Sequence, residues 1–313
     1  MIGLGGYEYL KLAVYYTSYL YFPAVILLTF LILKSRGWRS ILAMFILIGL
    51  TVLAYARFVE PRILLVKNHS LAFTRCFDEA GSVRLAIFSD THNGLFGNAI
   101  SIERIVARLN TIDADVALIA GDFIYFLHPD RMEETYAAFS NADLPVVGVL
   151  GNHDVGYPGP DVDEPLIKTL TDIGVRVIDN EPIYLNRAGK RVEIIGLSDL
   201  WQNQQDISLL SEEAPYPRIV LTHNPATVQH IPVRSPVDLL VAGHTHGGQI
   251  YIPFVTCKLL SFACRISRYG LSAQKRAVTF VTSGTGMVGL PMRFNMPPRI
   301  DVLNVRYNQC LPR

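Results

Sequence analysis

The chain is short of charge. Only 18% of its 313 residues are Asp, Glu, Lys or Arg, and their formal sum is +1. So even a balance provides no basic field of the kind nucleic-acid binding needs, which excludes a nucleic-acid partner. Cysteine is scarce as well. Cys76, Cys257, Cys264 and Cys310 show no Cys-x-x-Cys spacing and no dense framework, which leaves out a disulfide-stapled scaffold. Cys257 and Cys264 are open to two readings, a pair or two small buried apolar residues, and the second is adopted. No internal repeat and no low-complexity segment is visible.

Charge is missing altogether from residues 12–33 and 40–56, in a chain that is half hydrophobic with a mean hydropathy of +0.28. At ~1.5 Å per residue the first run extends about 33 Å, enough to cross a hydrocarbon core of about 30 Å, and the second is near the lower limit. Pro23 is tolerable inside such a helix, and Trp38 and the tyrosines at the ends suit an interface. A buried core hairpin and a cleaved leader (Ala54-Tyr55-Ala56 resembles a cleavage site) are the competing readings. A full hydrophobic segment precedes that tripeptide, so two retained membrane helices are expected over residues 1–60. Lys34, Arg36 and Arg39 between them point the connection to the cytoplasm and the remainder of the chain outside, although Lys11, Arg57, Arg62 and Lys67 nearly cancel the bias.

Residues 61–82 read as a connector with one or two strands, at 63–66 and 71–73. Beyond it, apolar β-rich runs (83–89, 116–120, 145–150, 175–178, 192–197, 219–222, 237–242) alternate with helical spacing at 100–109, 132–139 and 166–173. Ser101 is a plausible cap for the first of these helices. The last third, at 249–255, 277–281 and 300–305, is strand-rich. Strands alternating with helices predict an α/β domain over 83–313.

Five short motifs, in fixed order, follow or nearly follow such runs: Asp90-Thr91-His92, Gly121-Asp122, Gly151-Asn152-His153-Asp154, a lone His223, and Gly243-His244-Thr245-His246. All their ligand types are oxygen or nitrogen. Singly each has a bland reading: Asp90-Thr91 a helix cap, Gly121-Asp122 a turn, His223 a structural histidine. Together they place five of the chain's eight histidines beside carboxylates and glycines at strand ends, where side chains converge. His69, His128 and His230 match no motif.

In this order the motifs resemble the calcineurin-like metallophosphoesterase superfamily, over roughly residues 83–306. Gly247-Gly248-Gln249, with Ser283-Gly284-Thr285-Gly286 and Pro291-Met292-Arg293, resembles its membrane-associated bacterial branch. The resemblance implies two packed mixed β-sheets flanked by helices, a four-layer αββα sandwich, with two divalent ions at the strand ends. It implies that Asp122 bridges them, that Asp90, His92 and His246 complete the first site, and that Asn152, His223 and His244 complete the second. His153 then stands near the leaving group as general acid, oriented by Asp154. The reaction implied is attack of a metal-bridging hydroxide on a phosphodiester or phosphoanhydride.

Two divalent cations against two carboxylates and one hydroxide leave about one positive charge for an anionic substrate. Nitrogen and oxygen ligands suit Mn, Fe, Zn or Co, with Mn the first choice for a bacterial enzyme. Arg293 is expected to hold a phosphate, and Gln249 to bind substrate at the pocket floor. Tyr125 departs from the family, which often has an acidic residue there. The expected substrate is a phosphate ester, a phospholipid or a nucleotide-linked lipid, at a bacterial cytoplasmic membrane. The alternative is an enzyme similar to the UDP-2,3-diacylglucosamine pyrophosphatases of lipid A synthesis, whose substrate requires an inward-facing domain. A non-catalytic metal-binding scaffold would have lost a ligand or His153, and none is lost.

Overall fold

A computed structural model describes residues 4–97, 99–187, 190–211, 213–259 and 262–310. Two stretches, Gly6–Lys34 and Trp38–Arg62, are helical and are long and apolar enough to cross a membrane. The first comprises α1 (Gly6–Thr17), a 3-10 turn and α2 (Tyr21–Lys34), and the second begins with α3 (Trp38–Ala54). The end of the second stretch is hydrogen-bonded into the rest of the chain. Arg293 N donates to the Ala56 carbonyl at 2.9 Å, and the Glu60 carboxylate accepts from Asn295 N and Met296 N at 2.9 and 2.6 Å.

The remaining chain folds into two six-stranded sheets. The first contains β1 (Leu65–Phe77), β2 (Gly81–Phe88), β4 (Val116–Ala120), β6 (Val146–Val149), β7 (Val175–Val177) and β14 (Arg299–Gln309), in the order β1-β14-β2-β4-β6-β7. The second contains β8 (Pro182–Arg187), β9 (Lys190–Gly196), β10 (Arg218–Leu221), β11 (Leu239–Ala242), β12 (Gly270–Ala273) and β13 (Val278–Val281), in the order β12-β13-β11-β10-β9-β8. Both are mixed: β14 runs antiparallel to β2, and β8 and β12 run antiparallel to their neighbours. A two-residue pair, β3 (Asn93–Gly94) with β5 (Ile124–Tyr125), lies between motifs.

The central strands are apolar on both faces because both are covered. Along β2 and β4, Leu85, Ile87 and Leu118 meet Ile194, Ile219 and Val241 of the other sheet. Their alternate neighbours, Ala86, Phe88 and Ile119, meet Ile105 and Leu109 of α4 (Ile102–Leu109) and Leu166 and Leu170 of α6 (Asp163–Asp172). Ser101 caps α4, accepting from Arg104 N. On the outer face of the second sheet, Leu210 and Val228 from 3-10 turns, Ile231 beyond them and Ile266 of a short helix (Phe262–Ile266) cover Val220 and Leu240.

The connector's one or two expected strands are one edge strand, β1, paired in parallel with β14 over most of its length. Two expectations are corrected. The 249–255 run is not a strand: Gly247 and Gly248 take positive φ, and the Thr256 hydroxyl donates to Ile250 O while accepting from Ile252 N, curling the segment. Cys257 and Cys264 are bonded to each other rather than being separate apolar residues, and Cys76 is bonded to Cys310, fastening the C-terminal ends of β1 and β14.

Candidate metal centre

The turns leaving β2, β4, β10 and β11 meet at one edge of the paired sheets, joined by Asp90 N to Gly121 O at 2.9 Å and Gly243 N to His223 O at 2.9 Å. Glycine is required at two of these crossings. A Cβ on Gly121, whose φ is +79°, would stand 2.7 Å from His223 Nδ1, and one on Gly243 would stand 2.7 Å from Asp90 Oδ2. Asp90, His92, Asp122, His244 and His246 all have φ between 46° and 66°. Left-handed backbone costs roughly 1–2 kcal/mol per non-glycine residue, and five such residues at one point mark a geometry imposed by the surrounding fold.

The side chains form two groups around one carboxylate. In the first, Asp90, His92 and His246, His92 Nε2 is 3.0 Å from His246 Nε2, and His246 Nε2 is 3.3 Å from Asp90 Oδ1. In the second, Asn152 Oδ1 lies 3.1 Å from His223 Nε2 and 2.9 Å from His244 Nδ1. Asp122 Oδ2 stands between them, 3.1 Å from His223 Nε2 and 3.5 Å from His92 Nε2. Each ligand is oriented by a further contact. His223 Nδ1 donates to Ala120 O at 2.8 Å, turning Nε2 inward. The Asn152 amide nitrogen donates to Tyr157 O, which presents Oδ1 to the site. Asp90 accepts from Ser89 Oγ and, at 3.1 Å, from His244 N. Asp122 Oδ1 accepts from His153 N at 2.9 Å, leaving Oδ2 for the interior.

The electrostatics call for cations. Burial pushes the Asp90 carboxyl up to about 7, and the neighbouring Asp122 charge adds to this. Burial works against charge on Asp122 too, but His223 and His153 hold it well below the ordinary carboxylate value. At His223 burial disfavours the imidazolium, yet Asp122, Asp90 and Asp199 outweigh it and raise the pKa to about 10. Burial lowers His92 and His244 to about 3. His246, whose buried Nδ1 has no partner among the described residues, is lowered well below its usual value, by burial and then by His92. Crowded neutral rings and carboxylates that demand positive charge fit a donor set for divalent cations.

The histidine after Asn152 lies beside these residues, with a ring nitrogen within 4.8 Å of ligand atoms of His92 and Asp122. His153 Nδ1 donates to Pro158 O at 3.1 Å, so Nε2 is the atom turned to the site. Its ring lies 5.0 Å from that of His92 and 4.9 Å from that of Tyr125. Asp154, expected to orient it, does not touch it. Buried Asp154 instead accepts from Phe123 N, Ile124 N and Gly151 N at 3.2, 3.0 and 2.8 Å, fixing the backbone on either side of Asp122.

Arg293 and Gln249 also need correction. Arg293 is fully buried, and its guanidinium donates to Gly286 O, Ser283 O and Met296 O at 2.6–3.0 Å, so it cannot reach a substrate. It fastens the 283–296 loop against the metal-side strands. Arg293→Met strands three buried carbonyls and is expected to cost about 3–5 kcal/mol, read as a lower melting temperature, with Arg293→Lys recovering part of it. The Gln249 amide is fully occupied by Val288 and Leu290: Nε2 donates to both carbonyls at 2.9 and 2.8 Å, and Oε1 accepts from Val288 N. It shapes the pocket by tying down that loop.

Two contributors carried no signal in the sequence. Trp201 lies edge-on to His244 with ring centres 5.1 Å apart. Lys11, on α1, donates through Nζ to the Tyr125 hydroxyl.

Fold and donor set together are of the kind found in metallophosphoesterases. Residues 83–248, more than half of the chain, match the family described as calcineurin-like phosphoesterase, and the chain belongs to that family. Among its relatives are the phosphodiesterase YaeI of Escherichia coli, 28% identical over 257 residues covering 80% of this chain and 92% of that protein. The uncharacterized metallophosphoesterase YkuE of Bacillus subtilis is 28% identical over 262 residues, 80% of this chain and 89% of the relative. The UDP-2,3-diacylglucosamine pyrophosphatase LpxG of Chlamydia muridarum is 23% identical over 306 residues, 81% and 92%.

Proposed function

We propose that the chain is a membrane-anchored phosphoesterase with a dinuclear metal centre, hydrolysing a phosphodiester or phosphoanhydride. The observation that carries this is the single oxygen, Asp122 Oδ2, shared between His92 of one group and His223 of the other. Asp90, His92 and His246 would hold one ion, Asn152, His223 and His244 the other, and Asp122 both. Two such ions supply a nucleophile from water at neutral pH and offset charge on the phosphoryl oxygens. His153, its Nδ1–H held by Pro158 O, would give a proton from Nε2 to the leaving oxygen when both ring nitrogens are protonated.

The test is hydrolysis of bis-p-nitrophenyl phosphate and p-nitrophenyl phosphate by detergent-solubilised protein. We expect activity that disappears with chelator and returns with Mn, with Fe, Zn and Co tried in turn, and a preference for the diester. Activity that survives full chelation would contradict the reading.

The two apolar helices are the proposed anchor, and two features support an outward-facing catalytic domain. Lys34, Arg36 and Arg39 cluster at the short connection between the helices. The disulfides Cys76–Cys310 and Cys257–Cys264 belong to an oxidising compartment. We expect none of the four cysteines to react with an alkylating agent in denatured, unreduced protein from native membranes, and all four to react after reduction. Alkylation without reduction would reverse the orientation. The similarity to LpxG favours a second reading, cleavage of a nucleotide-linked lipid diphosphate, and an inward-facing domain would revive it.

A further inference from the structure

The metal centre opens into a cleft of about 640 Å³ whose walls are not those of a site for a small polar ester. His244 and His246 belong to its lining. Most of the rest is apolar: Leu10 and Val14 from α1, with Ile252, Val255, Leu259 and Leu290 from the curled 249–259 segment and the 288–290 loop. Leu259 is 80% exposed, and Phe254, between two lining residues in sequence, is 89% exposed. An apolar wall of this extent, left open to the surroundings and running into a polar centre, is unusual for a face that meets only water.

The α1 wall is fixed in place. Tyr15 stacks on Phe96 with ring centres 5.5 Å apart, Arg57 Nε donates to Ser18 Oγ at 3.1 Å, and Lys11 donates to Tyr125, whose ring rests on His153. Lys11, which also pairs with Glu8 at 3.6 Å, lines the cleft beside the residues that contact His153, and the same helix offers Leu10 and Val14 to the lining. Tyr125, which stands where the family often has an acidic residue, is the partner that receives Lys11.

We infer that the cleft takes a phosphate ester bearing an acyl or alkyl chain: a lipid whose phosphate lies at the metal centre near Lys11 and whose chain lies between α1 and the 252–259 and 288–290 segments. The inference rests on the phosphoesterase reading and narrows its substrate to a membrane amphiphile. Continuity of the apolar wall with the helix proposed to enter the bilayer gives such a lipid a route from the membrane to the metals without passing through water.

The experiment uses full-length protein in mixed detergent micelles and p-nitrophenyl phosphodiesters carrying a methyl, butyl, octyl or dodecyl group, at fixed mole fraction. All share a leaving group, so only the chain differs. Burying even part of the chain favours the longer ester, so kcat/KM should rise by at least about tenfold from methyl to dodecyl. The dodecyl-to-methyl ratio should fall towards one in Val255→Asp/Leu290→Asp. It should be unchanged in Val233→Asp, a control at an exposed residue outside the cleft. Metal-dependent hydrolysis of all four esters at equal kcat/KM by the wild type would overturn the lipid inference and leave the phosphoesterase reading standing. A chain-length rise that persists undiminished in the double variant would overturn the placement of the chain in this cleft. No hydrolysis of any ester by protein that carries metal would overturn both.

Discussion

Asp122→Asn should reduce phosphodiester hydrolysis by about 10³-fold or more while leaving the protein folded. The carboxylate places Oδ2 between the two ligand groups and is held by His153 N through Oδ1. The amide of Asn keeps an acceptor for that backbone bond, so the turn survives, but it removes one negative charge from between two divalent cations. Losing a cation, or its proper placement, forfeits several kcal/mol of charge stabilisation, and each 1.36 kcal/mol is a factor of ten in rate. Metal analysis separates this from unfolding. The variant should melt as a folded protein yet retain less than two ions per chain. A variant with full metal content and activity within tenfold of wild type would remove Asp122 from its bridging role.

His153→Asn should leave metal content intact and lower kcat by about 10²–10⁴-fold, but only for esters with a poor leaving group. The ring is held against Tyr125 and His92, Nδ1 is committed to Pro158 O, and Nε2 faces the reacting edge. Proton donation matters most when the departing oxygen is basic, so an alkyl alcohol leaving group should suffer the full loss and p-nitrophenolate far less. Equal losses with both would make His153 a residue that positions or stabilises charge rather than an acid.

The site's constituents were more legible than its support. Ligand residues standing at the ends of apolar strand runs can be read from a single chain, because strand periodicity and glycine turns are local properties. Gly121 and Gly243 are visible for the same reason. The left-handed conformations of Asp90, His92, Asp122, His244 and His246 are not, since no local preference of Asp or His predicts five of them together; tertiary contacts impose them. Arg293 shows the opposite failure. An arginine after a glycine-rich loop reads as a phosphate ligand, but only the packed structure reveals that three main-chain carbonyls consume it.

Adjacency in sequence also misled. Asp154 follows His153 directly, yet its carboxylate points to the backbone of 123–124 and 151. In the fold, the strand alternation was legible, whereas the pairing of β1 with β14 joins segments more than 200 residues apart and leaves no local trace. The same holds for Cys76–Cys310, with a sequence separation of 234. The Lys11–Tyr125 contact joins an apolar helix to a motif loop, and neither residue looks functional alone.

The central claim is that two ions share Asp122, and a metal back-titration tests it most directly. Protein stripped by chelator and dialysed would be titrated with Mn while bound metal and diester hydrolysis are measured together. Activity should rise to a plateau at two equivalents per chain in the wild type. A plateau at one equivalent, or full activity with none, would contradict it.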